Sequence, residues 1–189
     1  MNIMESKKEN KVLMMCLCSL FTALIAVGAF LKIPIPLVPI TLQGLFTILA
    51  ALLLGAKWGT LSVLLYIVIG LLGVPIFTQG GGISYIFIPT FGYLLGYILG
   101  TFINAKIVHK TDTPSYLRIF AANFTGVLAV YAVGVPYFFM ASELWGNGTT
   151  MKILFLNCFL FTIPGDILKC FIGTLLGKRL IPLTAKYRN

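Results

Sequence analysis

The chain has 189 residues and a formal net charge of +9, with 59% hydrophobic and 10% charged residues. Because a soluble domain is about one-quarter charged and could not bury so much apolar surface at this length, the composition excludes an ordinary water-soluble fold. The basic residues lie at segment ends and in loops instead of along one stripe, which argues against a nucleic-acid-binding protein.

Six apolar segments are long enough, or nearly long enough, to cross about 30 Å of hydrocarbon. They cover residues 12–31, 40–56, 60–77, 84–105, 116–138 and 153–177. Their apolar runs are continuous and lack the period of two that a β-barrel requires, so we predict an all-α membrane protein with six transmembrane helices. The chain then divides into a polar N-terminal tail (1–11), a single six-helix membrane domain (12–181) and a basic C-terminal tail (182–189).

The last segment is interrupted by Pro164 and Gly165. It is either one long kinked helix or an outer segment, 153–163, followed by a final helix that begins at Pro164. We favour the second interpretation because it places Asp166 in a first helical turn, where the helix dipole stabilises an anion.

Basic residues are distributed unevenly between the two ends of the predicted segments. Only Lys32 and Lys152 fall at one end, while Lys169 lies within a segment. The positive-inside rule therefore predicts that both termini are cytoplasmic. The eleven basic residues at the cytoplasmic end are Lys7, Lys8, Lys11, Lys57, Lys106, Lys110, Arg118, Lys178, Arg179, Lys186 and Arg188.

The predicted outer loops are 32–40, 78–84 and 141–151, and the candidate ligand-binding residues lie in the second of them and in the adjoining segments. Glycines let a loop close on a ligand with amides free to bind an anion, although a flexible turn has the same composition. Polar residues at helix ends either cap the helix or line a pocket, and tyrosines either mark the membrane interface or line a pocket. The candidates are Thr41, Gln43, Gln79, Gly80, Gly81, Gly82, Tyr85 and Tyr93.

Within the fourth segment, Gly92, Gly96 and Gly100 recur at intervals of four residues. This spacing places the three glycines on one helix face, where they favour close packing against another helix.

Asp166 and Lys169 stand three residues apart in the last segment, so on a helix they share a face. Placing an ionised group in hydrocarbon costs at least about 2.5–3.5 kcal/mol, so both side chains are expected to face a protein interior or a wet cavity. Two interpretations stay open. The pair is a salt bridge that holds the last helix in place, or it is a ligand site in which Asp166 accepts a hydrogen bond and Lys169 meets an oxygen.

Motifs for catalysis are missing from the sequence. It contains no phosphate-binding loop, no H-E-x-x-H motif and no carboxylate pair, and the single histidine, His109, lies in a basic loop. We therefore predict that the chain is not an enzyme, holds no metal and carries no ATP site of its own.

Three stretches in this order resemble one transporter family: "IPIPLVPITLQ" (33–43), "GLLGVPIFTQGGGISYIFIPTFGYLLGY" (70–97) and "IPGDILKC" (163–170). The combination is similar to BioY, the biotin-specific substrate-binding component of energy-coupling factor (ECF) transporters. The resemblance implies six membrane helices, cytoplasmic termini and tight binding of biotin near the outer face of a prokaryotic plasma membrane. Asp166 and Lys169 match the aspartate and lysine of the family's P-G-D-x-x-K stretch, which implies that both take part in the biotin site.

The resemblance also implies partners: a transmembrane coupling protein and two ATP-binding subunits that supply energy. Biotin is then a transported substrate, and no cofactor is expected. Two departures from the family pattern are visible. The glycine loop lacks the arginine of some relatives, so the biotin carboxylate would rest on backbone amides. The small-residue pattern for docking on the coupling protein is present only as Ser19-x-x-x-Ala23 and Thr22-x-x-x-Ala26.

Three other functions stay open from the sequence. The same architecture suits another vitamin, or a facilitator that works without a partner. A membrane enzyme that uses Asp166 as its base is the third.

Overall fold

A computed structural model describes residues 3–33, 38–145 and 162–188, and these ranges are almost entirely helical. They contain five α-helices: α1 (Ile3–Phe30), α2 (Gln43–Leu71), α3 (Phe91–Val108), α4 (Tyr116–Trp145) and α5 (Ile163–Arg188). A short 3-10 helix, Ile83–Phe87, precedes α3. Two short strands, β1 (Lys32–Ile33) and β2 (Ile40–Thr41), pair antiparallel, with Lys32 opposite Thr41.

Four of the described helices are long and apolar enough to cross a membrane. The candidate spans are Asn10–Phe30, Gln43–Leu71, Phe91–Val108 and Tyr116–Trp145. Helix α5 is not among them, because Asp166 and Lys169 lie near its start and Lys178 and Arg179 follow. Large apolar side chains face outward, as expected in lipid: Val12, Leu20 and Val27 of α1 are each at least half exposed. The prediction of an all-helical membrane protein is therefore confirmed.

Helix α2 breaks at Gly55, where the backbone adopts φ 76° and ψ −174°. Glycine tolerates this conformation, which a residue with a Cβ rarely adopts. The two halves fold back on each other: Gln43 Nε2 donates to Tyr66 Oη at 2.7 Å, and a Cβ on Gly59 would lie 2.7 Å from the Ala50 carbonyl oxygen. The halves correspond to the two separate segments predicted over 40–56 and 60–77, although their boundaries differ.

Several helix boundaries differ from the predicted spans: α2 ends at Leu71 instead of 77, and α3 covers Phe91–Val108 instead of 84–105. Helix α1 begins at Ile3, so residues 3–11 of the predicted tail are continuous with the first helix. Helix α4 extends to Trp145, so the prediction of a loop over 141–145 is wrong. Helix α5 starts at Ile163 with Asp166 in its first turn, as predicted. The proposed outer segment, 153–163, lies almost wholly outside the described residues.

The glycines of α3 bring this helix against α4. A Cβ on Gly96 would lie 2.7 Å from the Val130 carbonyl oxygen, and one on Gly100 would lie 2.6 Å from the Gly126 carbonyl oxygen. Both distances are shorter than a carbon–oxygen contact allows, so larger residues would force the helices apart. The predicted packing role of this glycine face is confirmed.

Basic residues of different helices meet at one end of the bundle. Lys178 Nζ donates to the Pro114 carbonyl at 2.9 Å, and Lys57, Lys106 and His109 line one groove beside Gly55. Lys32 lies at the opposite end, where its Nζ donates to the Thr78 carbonyl at 2.8 Å.

Candidate functional site

A cavity opens between α2, α3, α4 and α5, covered in part by residues 38–41. It encloses about 930 Å³ of empty space, including the part that is open to solvent. Its walls combine apolar side chains such as Ile48, Leu94 and Val130 with polar groups from all four helices.

Asp166 and Lys169 both line this cavity and contact each other. Lys169 Nζ lies 2.6 Å from Asp166 Oδ1. The lysine side chain is 10% exposed and the aspartate side chain is 20% exposed. Tyr131 of α4 donates its hydroxyl to Asp166 Oδ2. Because this hydroxyl has one proton, Thr162 Oγ1, 2.7 Å from Tyr131 Oη, acts as the donor to it. The pair is thus a salt bridge that also faces a cavity, so the two sequence interpretations are compatible.

Gly44, at the start of α2, makes room for the lysine stem. A Cβ at Gly44 would lie 3.5 Å from Lys169 Cδ, 3.6 Å from Lys169 Nζ and 3.8 Å from Tyr97 Oη. Three helices therefore meet at Lys169, because α2 lies against its stem and Tyr97 of α3 lies close by. Removing either partner of such a buried ion pair would leave the other charge buried without compensation, which destabilises the fold.

Thr41 and Gln43 are buried, and both line the cavity. Thr41 Oγ1 donates to Gln43 Oε1 at 3.3 Å, and Gln43 Nε2 donates to Tyr66 Oη at 2.7 Å. Tyr66 in turn donates to the Ile76 carbonyl at 3.1 Å. This chain of hydrogen bonds connects strand β2 to both halves of α2 and to the segment after it, so it fixes the cavity wall.

Tyr85 and Tyr93 also line the cavity and are 3% and 8% exposed. The Tyr85 hydroxyl lies 2.9 Å from Thr78 Oγ1. The Tyr93 ring packs edge to face against Tyr131, with the ring centroids 6.2 Å apart. The structure therefore brings Thr41, Gln43, Tyr85 and Tyr93 together with the α5 pair.

The glycine loop does not reach the cavity. Gln79 is exposed, and the amides of Gly80 and Gly82 donate to the carbonyls of Phe77 and Gly70. Gly81 packs so closely that a Cβ would lie 2.2 Å from the Val74 carbonyl oxygen. The loop contributes Thr78 to the lining, and the ligand-binding role of Gln79, Gly80, Gly81 and Gly82 stays a prediction.

The two small-residue patterns of α1 lie on different faces. Ser19 and Ala23 are exposed, whereas Thr22 is buried and donates to the carbonyls of Cys18 and Ser62, each at 3.0 Å. Ala26 is half-buried and packs inside the bundle. Of the predicted docking residues, Ser19 and Ala23 are therefore accessible, and docking stays a prediction for all four.

Sequence reasoning missed several polar residues of the cavity. Tyr97, Thr101 and Asn104 follow Tyr93 at four, eight and eleven residues along α3, which places all four on one helix face. This periodicity was available from the sequence. Tyr131 lacked such a signal, because the packing of α4 against α5 decides its contact with Asp166. The other polar lining residues not predicted are Thr47, Thr78, Thr90 and Thr162.

The sequence profile of the BioY family matches residues 4–186. A probable biotin transporter BioY of Lysinibacillus sphaericus is 42% identical over 174 residues, covering 92% of this chain and 89% of the relative. The biotin transporter BioY of Rhizobium etli is 32% identical over 176 residues, which cover 86% of this chain and 89% of the relative.

A solved structure, the crystal structure of the S-component for biotin from an ECF-type ABC transporter, is similar over the whole fold. The TM-score is 0.84 at 28% identity, with 96% of this chain and 98% of that chain covered. The family match and the relatives together span nearly the whole sequence. This chain belongs to the BioY family.

Proposed function

We propose that this chain is the biotin-binding membrane subunit, the S-component, of an ECF-type vitamin transporter. The observation that carries the proposal is the Asp166–Lys169 pair, which faces a cavity inside an apolar helix bundle of a BioY-family chain. Relatives named as biotin transporters and an S-component for biotin with the same fold support it. The chain is a transporter component and not an enzyme.

The chemistry of the cavity suits biotin. This ligand carries two ureido N–H groups and a carbonyl at one end, a carboxylate at the other, and an apolar ring and chain between them. Asp166 suits an N–H donor and Lys169 suits an oxygen, while Leu94 and Val130 supply apolar contacts. Thr41, Gln43, Tyr85 and Tyr93 complete the proposed site. The loop of Gln79 to Gly82 supports it indirectly, by positioning Thr78.

The proposed topology has six spans with both termini in the cytoplasm, in the plasma membrane of a prokaryote. The Gly55 break supports six spans, because it divides α2 into two antiparallel halves. Lys57, Lys106 and His109 lie together beside Gly55. Because positive charge is retained on the cytoplasmic side of a membrane, this end of the bundle is proposed to face the cytoplasm. The cavity then lies toward the outer face.

Energy for uptake comes, in this proposal, from a coupling protein and two ATP-binding subunits. The sequence has no phosphate-binding loop, and the similar solved structure is a component of an ABC transporter. Ser19 and Ala23 lie on the accessible face of α1 and suit close helix contact with the coupling protein. Biotin is cargo in this scheme, and no cofactor is proposed.

Competition binding on the purified chain in detergent tests the assignment of the ligand. Labelled biotin should bind saturably and be displaced by biotin but not by other vitamins. Displacement by a different vitamin would assign the same fold to another cargo. Liposomes that contain this chain alone should not concentrate biotin, and accumulation without partners would identify a facilitator instead.

A further inference from the structure

Two buried polar atoms at the inner end of the cavity lack hydrogen-bond partners within the described residues. They are Thr101 Oγ1 and Asn104 Oδ1, both on α3. Thr101 is 3% exposed and Asn104 is 1% exposed, and both line the cavity. Buried polar groups of a protein are nearly always paired, so two neighbouring exceptions on one cavity wall require an explanation.

The hydrogen-bond network fixes which Asn104 atom is left unpaired. Asn123 Nδ2 donates to the Cys170 carbonyl at 3.2 Å and to Thr174 Oγ1 at 3.1 Å. Asn123 Oδ1 must therefore face Asn104, and it accepts from Asn104 Nδ2 at 3.0 Å. The amide oxygen of Asn104 is consequently the free atom, and it is a hydrogen-bond acceptor.

This inner end lies deeper than the ion pair, because Asn123, the partner of Asn104, contacts Cys170 and Thr174, which follow Lys169 along α5. Asn104 follows Tyr97 by seven residues, a rise of about 10 Å along α3. The facing wall of α4 is Gly126, where a Cβ would lie only 3.2 Å from Asn104 Cβ. Among the described residues that line the cavity, Lys169 is the one cation, and it is paired with Asp166.

We propose that Thr101 and Asn104 form an inner subsite that binds a neutral N–H group of the ligand. This inference rests on the proposed function, in which that group is a ureido N–H of biotin. Asn104 Oδ1 accepts the N–H, and the Thr101 hydroxyl bonds to the adjoining polar atom. A carboxylate does not suit this position, because the Asn104 oxygen would repel it and the paired lysine lies nearer the mouth. The ureido end therefore points inward and the carboxylate outward.

Thr101→Val tests the subsite with little structural change, because this hydroxyl has no partner to lose in the described fold. Its matched control is Thr60→Val, since Thr60 Oγ1 is also buried and unpaired but does not line the cavity. We expect Thr101→Val to weaken biotin binding roughly tenfold, as for the loss of one buried hydrogen bond, and Thr60→Val to leave binding unchanged. Thermal unfolding of both variants should match the unsubstituted chain.

Two biotin analogues show which end of the ligand the subsite contacts. N-methylation of the ureido ring should weaken binding to the unsubstituted chain and to the Thr101→Val chain, because both keep the Asn104 acceptor. Esterification of the carboxylate should weaken binding to both chains by the same factor. Asn104→Ala should remove the N-methylation effect, and thermal unfolding measures the stability lost with its hydrogen bond to Asn123.

The outcomes separate this inference from the proposed function. If the unsubstituted chain binds biotin but Thr101→Val does not weaken binding and Asn104→Ala keeps the N-methylation effect, the inner subsite is wrong and the function stands. An ordered water on Thr101 and Asn104 would give that result. If the unsubstituted chain does not bind biotin, both proposals fall.

Discussion

Asp166 and Lys169 form an ion pair on α5, with Lys169 Nζ 2.6 Å from Asp166 Oδ1, and the cavity exposes one face of that pair. Three groups position it. Tyr131 donates to the second carboxylate oxygen, Thr162 donates to Tyr131, and Gly44 leaves space for the lysine stem. The charges are therefore held in one geometry before any ligand arrives, which lowers the cost of ordering them on binding.

Removing one partner of this pair should destabilise the protein, because the other charge is left buried. We expect Asp166→Asn or Lys169→Met to lower the free energy of unfolding by about 3 kcal/mol. The double variant should recover most of that stability, since it contains neither charge. Thermal unfolding in detergent measures all three, with Lys110→Met, an exposed lysine, as the control. Equal stability of the single variants and the unsubstituted chain would show that the pair is solvated.

Tyr131→Phe should lower both the stability of the fold and the affinity for biotin. The variant removes the hydroxyl that donates to Asp166 and accepts from Thr162, which costs about 1–3 kcal/mol of stability. Because the aspartate is then less well positioned, biotin affinity should fall roughly fivefold. Tyr137→Phe is the matched control: its hydroxyl donates to the Ile86 carbonyl, and Tyr137 does not line the cavity. Similar losses of affinity in both variants would contradict a specific role for Tyr131.

Two glycine substitutions should have different effects, one on the stability of the helix packing and the other on the affinity for biotin. Gly96→Ala places a Cβ 2.7 Å from the backbone oxygen of Val130, so we expect a loss of about 1–3 kcal/mol in stability. Gly44→Ala places a Cβ no closer than 3.5 Å to Lys169 and should leave stability nearly unchanged while reducing biotin affinity. Unfolding and titration of each variant measure the two effects. The reverse pattern would show that α3 and α4 are not in the contact described.

Ala23→Trp should separate binding from transport. Ala23 lies on the exposed face of α1, so a large side chain there does not disturb the bundle but prevents close approach of another helix. We expect unchanged biotin binding and loss of ATP-dependent uptake in proteoliposomes that contain all the subunits. Leu128→Trp, at an exposed position of α4, is the control. Normal uptake by the Ala23→Trp variant would exclude this face of α1 as the docking surface.

Local signals predicted much of the fold. Continuous apolar runs identified the helices, Pro164 marked the start of α5, and the four-residue glycine spacing identified the face of α3 that packs on α4. The end of α4 was missed because Ser142 and Glu143 suggest a loop after the apolar run, although the helix continues to Trp145. Polarity alone does not end a helix whose backbone hydrogen bonds continue.

The candidate site was predictable only in part. Asp166 and Lys169 were conspicuous, because charges are rare in apolar helices. The glycine loop was also conspicuous, but its amides at Gly80 and Gly82 bond to the carbonyls of Phe77 and Gly70, and the second of these bonds depends on how the loop packs on the end of α2. The Tyr131 contact and the pairing of Asn104 with Asn123 likewise depend on how α3, α4 and α5 pack together.

Calorimetric titration of biotin into the purified chain, and into the Asp166→Asn/Lys169→Met variant, tests the central claim most directly. The unsubstituted chain should bind one biotin tightly, and the double variant should bind at least about a hundredfold more weakly while unfolding at a similar temperature. Equal affinity for the two chains would contradict a biotin site at this ion pair.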